Sequence, residues 1–165
     1  MMQRYVTQLK YARSVPRSPD PGRDPLSRVE REITVLLRRT LEEVWAGGYG
    51  DGPVDRYTYP VLALLEEHGP QGLTELTRRL GISKPTTSRH VARLGEASLV
   101  TSAPDGRDPR AVVVTLTGQG AAQVTQVRSR RRERLGEVLR SWSDADGEVL
   151  AELLGRLNRD LDAHR

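Results

Sequence analysis

The chain has 165 residues, enough for one domain and short of two ordinary ones. Its 26 Lys+Arg against 22 Asp+Glu leave a formal charge of +4, and aromatic residues make up only 4%, with no Phe. The core must therefore come from Leu, Val and Ala, which favours helices, and the absence of Cys excludes disulfide frameworks, thiolate metal sites and cysteine nucleophiles.

At the N-terminus Tyr5, Val6, Leu9 and Ala12 have helical spacing, but so short a piece is marginal alone. Residues 14–25 hold four prolines and cannot keep regular structure, so residues 1–24 read as a flexible basic tail and linker. A five-turn amphipathic helix follows, with Leu26, Val29, Ile33, Leu36, Leu37, Leu41 and Val44 on one stripe. Gly47, Gly48, Gly50, Gly52 and Pro53 end it. A second helix is expected over 58–67, closed by Gly69-Pro70, and a third over Leu73–Leu80. Gly81-Ile82 makes a tight turn, Ser83 caps the next helix and Pro85 suits its first turn, with Glu96 near its end. Leu99–Ser102 and the β-branched run Ala111–Leu116 read as strands joined by the polar turn 103–110. Thr117 caps a long helix to about Ser141, and Ser143 caps the last, with Val149, Leu150, Leu153, Leu154, Leu157 and Leu161 on its apolar side.

Charge is not evenly spread. Residues 25–77 carry −4, whereas 78–110 carry +4 from seven basic and three acidic side chains. A basic block beside an acidic one fits a face that meets a polyanion, although such blocks are often only solvated helix faces. Nearly all the basic residues are Arg, which favours bidentate contacts.

The basic block coincides with helix, glycine turn, helix and two-stranded hairpin. Gly81 stands where two crossing helices need a small residue. Thr87, Val91 and Leu94 form the buried side of the second helix, and Lys84, Thr86, Ser88, Arg89 and Arg93 lie on or beside the opposite face. Short hydroxyls near a helix start let backbone approach phosphate, and Arg further along reaches guanine edges or phosphates. An ordinary amphipathic surface helix would share part of this pattern.

The stretch Gly81–Leu94 resembles the recognition helix of MarR-type winged helix regulators. Asp105-Gly106-Arg107-Asp108-Pro109-Arg110, followed by Val114-Thr115-Leu116-Thr117 and Gly120, resembles that family's wing and the start of its fifth helix. Trp142-Ser143 and Leu157-Asn158 resemble its last helices, so the likeness runs from about Leu26 to the C-terminus. It implies a mainly α fold with a small β-hairpin wing, a winged helix-turn-helix with N- and C-terminal dimerisation helices. Residues 25–165 would form this domain, with 57–116 as the DNA-binding lobe and 25–46 and 117–165 as dimerisation helices. It further implies a homodimer on a pseudo-palindromic double-stranded DNA operator. DNA contacts would come from Ser83, Lys84, Pro85, Thr86, Ser88, Arg89, Arg93, Asp105, Arg107 and Arg110. Arg107 would enter the minor groove, and Asp105 would hold that arginine or the wing. The sequence departs from the family at Gly95 and Ser98, which stand where the family has an acidic residue and a helix-ending glycine; either Ser98 turns left-handed at a cost of about 1 kcal/mol or the helix ends differently.

His90 lies beside the buried stripe and reads as a half-buried packing residue. The run Arg128–Arg134 reads as a solvated face with ion pairs. Trp45, Tyr49, Tyr57 and Tyr59 gather near the junction of the first two helices, where MarR-type proteins bind small effectors, but ordinary core packing fits them equally. Three scattered histidines (His68, His90, His164) make no zinc site, no cofactor is expected, and no enzymatic motif is present. No apolar run approaches the roughly 20 residues that span a bilayer, and nothing after Met1 reads as a secretory signal. The sequence thus reads as a cytoplasmic transcriptional regulator, a homodimeric repressor released by a small molecule. A winged helix protein-interaction module is the alternative.

Overall fold

The computed structural model describes residues 24–39, 49, 52–106, 108 and 110–164. The expected helical piece at 5–12, the linker, the end of the first helix beyond Arg39, Trp45, Arg107 and Pro109 lie outside the described residues. The chain divides into two compact units, Met1–Arg39 and Thr40–Arg165.

In the first unit, helix α1 (Pro25–Arg39) starts where the Asp24 carboxylate accepts hydrogen bonds from the Ser27 amide and hydroxyl, both at 2.9 Å. Its stripe of Leu26, Val29, Ile33, Leu36 and Leu37 is exposed along its whole length.

In the second unit, a turn at 53–58 leads into α2 (Tyr59–His68), which buries Tyr59, Val61, Leu62 and Leu65. Gly69, at φ 73, and Pro70 end it. A two-residue strand, β1 (Gln71–Gly72), follows; nothing in the sequence pattern announced it. Helix α3 (Leu73–Leu80) buries Leu76, and Gly81 at φ 66 closes it by donating its N–H to the Thr77 carbonyl. Helix α4 (Lys84–Glu96) is capped by Ser83, whose Oγ accepts from the Thr86 amide, and it buries Thr87, Val91 and Leu94 as the spacing requires.

The exit of α4 takes the left-handed course, one of the two that the sequence left open. Ser98 sits at φ 61, the Ser98 N–H meets the Gly95 carbonyl and the Leu99 N–H meets the Leu94 carbonyl. That paired closure ordinarily uses glycine at the left-handed position.

Strands β2 (Val100–Pro104) and β3 (Val112–Leu116) form an antiparallel hairpin in register Val100↔Leu116 to Pro104↔Val112. Strand β1 pairs antiparallel with the other edge of β3, so the sheet order is β1-β3-β2. Its centre, Val114, is fully buried.

Helix α5 (Gly118–Val138) is capped by Thr117 and buries Val124 and Val127. It ends three residues short of the expected Ser141. Ser143 caps α6 (Asp144–Ala163) in a reciprocal box with Asp146, which holds Ser143 in extended backbone, so the preceding residues unwind into a turn. One core unites Val54, Leu62, Leu65, Leu76, Leu94, Leu99, Val114, Val124 and their neighbours. The second half of α5 and all of α6 lie outside it, for Leu135, Val138, Val149, Leu153, Leu154 and Leu161 are exposed.

Candidate nucleic-acid interface

Helices α3 and α4, joined at Gly81, form a helix-turn-helix, and the β2–β3 hairpin projects beside it. The apolar stripe of α4 fixes which residues point away. Lys84, Pro85, Ser88, Arg89, Ala92, Arg93 and Glu96 are exposed, whereas Thr86 and His90 are half-buried on one flank. The Ser83 and Thr86 hydroxyls lie 2.8 Å apart, so these two residues spend part of their hydrogen-bonding capacity on the cap. Lys84, Ser88 and Arg89 fall where the helix-turn-helix presents its outer surface.

At the hairpin tip the Asp105 N–H donates to the Ala111 carbonyl and the Ala111 N–H to the Asp108 carbonyl, each at 2.9 Å. The Asp108 carboxylate accepts from the Arg110 N–H at 3.0 Å, and the Arg110 side chain is exposed. Asp105 is half-buried. Its expected hold on Arg107 involves a residue outside those described.

Arg93 is placed differently from the other expected contacts. Its Nη1 lies 2.6 Å from Asp55 Oδ2, across 38 residues of sequence. Burial raises the Asp55 pKa, but hydrogen bonds from the Thr58 N–H, Arg93, the Tyr57 N–H and the Thr58 hydroxyl outweigh it, so the carboxyl titrates below its ordinary value. Two more arginines of the basic block are also paired. Arg78 and Arg79 both bond to Glu75, at 2.6–2.9 Å. Hydrogen bonds from Arg78, opposed by some burial and joined by Arg79, lower the Glu75 pKa to about 2. The sequence reading missed Asp55 and Glu75. Glu75 was findable, because carboxylate and guanidinium stand three and four residues apart on one helix; Asp55 had no such local signal.

His90 is half-buried, with its ring stacked on that of Tyr57, centroids 6.4 Å apart and planes within 9°. Tyr49 and Tyr59 meet edge to face at 6.0 Å, and the Arg131 guanidinium lies over both rings, 4.7 and 4.1 Å from their centroids. The aromatic group near the first two helices is thus split between two places, and burial foremost raises the Tyr49 pKa. The 128–134 run is a solvated face with ion pairs, as expected, at Arg128, which pairs with Glu66 on α2, and at Arg134, which pairs with Glu137 at 2.6 Å; Arg131 departs from it, half-buried over the two tyrosine rings. An open hollow of about 590 Å³ lies at the α5–α6 turn, lined by Ser141, Trp142, Asp146, Val149, Leu150 and Leu153. Among the described residues no group of His, Asp and Glu could hold a metal, and no helix is long and apolar enough to cross a membrane.

A glycine-turned helix pair followed by an antiparallel hairpin is a winged helix-turn-helix, the fold of many DNA-binding proteins. Residues 58–112 match the model of the MarR family. The chain is 29% identical over 138 residues to the uncharacterized HTH-type transcriptional regulator YxaD of Bacillus subtilis, covering 84% of this chain and 96% of that one. It is 29% identical over 109 residues to the HTH-type transcriptional repressor NicR of Pseudomonas putida, covering 62% and 69%. Among solved structures, BpsR of Bordetella bronchiseptica, whose DNA binding is regulated by 6-hydroxynicotinic acid, superposes with a TM-score of 0.65 at 21% identity, over 79% of this chain and 98% of that one. The stretch 58–112, which holds the helix-turn-helix and the hairpin, thus matches the MarR family, and most of the chain is similar to HTH-type transcriptional regulators.

Proposed function

We propose that the chain is a cytoplasmic homodimeric repressor that binds a pseudo-palindromic operator in double-stranded DNA and is released by a small-molecule effector. The observation that carries this reading is the exposed, polar surface of α4, with Arg89 opposite the buried Thr87, Val91 and Leu94 and Lys84 and Ser88 beside it. Ser83, Pro85, Thr86 and Arg110 complete the surface, and Arg107 at the wing tip would reach the minor groove. Residues 57–116 would be the DNA-binding lobe, with 25–46 and 117–165 as dimerisation helices and 1–24 as a basic tail.

What supports a dimer is the apolar surface that each terminal helix leaves uncovered. Neither α1 nor α6 has a single buried residue, although each carries a leucine-rich stripe. A second copy would cover such surface, and two-fold symmetry is the commonest solution. The support for effector release is the regulated DNA binding of BpsR. Selecting bound duplexes from a random DNA pool tests the whole reading. The expected result is an enriched inverted repeat with half-sites about one helical turn apart. An Arg107→Ala variant should bind that operator about ten- to hundredfold more weakly while remaining folded. A pool with no enriched sequence would refute specific recognition and favour a protein-interaction module.

A further inference from the structure

The turn before α2 holds one flank of α4 and leaves the other alone. Asp55 Oδ1 accepts from the Tyr57 N–H (2.8 Å), the Thr58 N–H (2.9 Å) and the Thr58 hydroxyl (3.1 Å), and the Asp55 N–H donates back to Thr58 Oγ1 at 2.9 Å. Thr58 is fully buried, and its hydroxyl also reaches the Pro53 carbonyl at 2.9 Å. The carboxylate is therefore fixed in place before Arg93 meets its remaining oxygen. Tyr57, two residues on, stacks on His90. His90 and Arg93 are three apart, so they share one flank of α4. The opposite flank, with Lys84, Ser88 and Gly95, is exposed.

This asymmetry bears on how α4 meets DNA. Its buried stripe consists of only Thr87, Val91 and Leu94, a narrow line about which a helix can roll. Contacts on one flank remove that freedom. A carboxylate beside a DNA-facing helix also repels phosphate, so on charge alone Asp55 weakens binding to every sequence alike. We propose that Asp55 is a positioning residue for the recognition helix: with Tyr57 it clasps Arg93 and His90 and sets the roll of α4, so that Arg89 meets base edges, without itself touching DNA. Arg93 then serves as the handle of that clasp and not as a phosphate contact. The proposal rests on the DNA-binding reading above and deepens it.

The test is a double-mutant cycle of Asp55→Asn and Arg93→Gln, read by binding titrations of the dimer on the selected operator and on an unrelated duplex of equal length. Positioning predicts that each single variant binds the operator about two- to thirtyfold more weakly and that the double variant loses no more than either. Binding of the unrelated duplex by Asp55→Asn should stay unchanged or tighten, so the ratio between the two duplexes falls. That ratio is the readout a merely structural role would not move. Should Asp55→Asn fail to fold, Tyr57→Leu leaves the Asp55 carboxylate intact and is expected to lower the same ratio. The inference is overturned if Asp55→Asn tightens or preserves binding to both duplexes equally while Arg93→Gln weakens both with a shallower salt dependence. Arg93 would then be an ordinary phosphate contact restrained by Asp55. A parent protein that selects no duplex overturns the proposed function, and this inference with it.

Discussion

Gly120, in the first turn of α5, has no room for a side chain. A Cβ there would lie 2.1 Å from the Leu99 carbonyl oxygen, 3.1 Å from the Leu99 carbonyl carbon and 2.6 Å from Leu116 Cδ1. The Leu116 side chain can rotate, but the Leu99 carbonyl cannot easily yield. It accepts hydrogen bonds from the Thr117 N–H at 3.1 Å and the Thr117 hydroxyl at 3.0 Å, and Leu99 joins the exit of α4 to the first residue of β2. Overpacking costs about 1–3 kcal/mol, and disturbing two hydrogen bonds adds about 0.5–1.5 kcal/mol each. Gly120→Ala should therefore destabilise by about 4 kcal/mol, a large part of the roughly 5–15 kcal/mol that holds a domain. At about 2–4 °C per kcal/mol, the midpoint should fall by roughly 10 °C. Gly118→Ala is the internal control, because its Cβ would meet nothing within 4 Å. It should be neutral or gain up to about 1 kcal/mol from helix propensity. The assay is thermal and urea unfolding followed by circular dichroism at equal protomer concentration. If Gly120→Ala melts within about 2 °C of the parent, the close approach of α5 to Leu99 is wrong.

Two further outcomes follow from local geometry. Ser98 at φ 61 carries a left-handed penalty, so Ser98→Gly should gain about 0.5 kcal/mol and Ser98→Val should lose about 1–2 kcal/mol. Urea midpoints should then rank the glycine variant above the parent and the parent above the valine variant; any other order refutes the assignment. Glu75, at about 2, and Asp55 both titrate below their ordinary range when folded. The folded chain thus takes up these protons less readily than the unfolded one, so their stabilisation is complete above about pH 5 and is lost as the pH falls from about 4 towards 2. Glu75→Gln should flatten that acid limb, and an unchanged stability profile over this range would count against the Glu75 pairing.

Much of this fold was legible because its signals are local. Ser83, Thr117 and Ser143 each stand just before an apolar period and cap the helix expected there. Gly81 and Ser98 mark turns that the backbone closes with left-handed residues. The hairpin was legible from its β-branched second strand. What escaped was set by partners remote in sequence. Strand β1 is two residues long and exists only because β3 offers an edge at Val113 and Val114. Nothing in Gln71-Gly72 itself prefers a strand. The fate of Arg131 depends on two tyrosines more than seventy residues away in sequence, and no periodicity within 128–134 distinguishes it from its neighbours.

The same distinction changes what the charge of 78–110 means for binding. If all seven basic side chains of that block met phosphate, a dimer would neutralise about fourteen charges, and log K would fall with log[salt] at a slope of roughly −12 to −13. Arg78 and Arg79 are held by Glu75, and Arg93 is held by Asp55. Those three arginines face two carboxylates, so their field is cut to about one net charge per protomer. Lys84, Arg89 and Arg110 remain on the described surface, and Arg107 joins them from the sequence. Three or four contacts per protomer make about 6–8 per dimer, so the slope on the selected operator should be roughly −5 to −7. Glu75→Gln releases two arginines per protomer and should steepen it, whereas deleting residues 1–24 should make it shallower if the basic tail also reaches DNA. A titration series across salt concentrations measures all three. A parent slope near −12 would mean that Glu75 and Asp55 surrender their arginines to phosphate on binding. A slope near zero would remove phosphate contact, and with it the DNA-binding role of the α4 face.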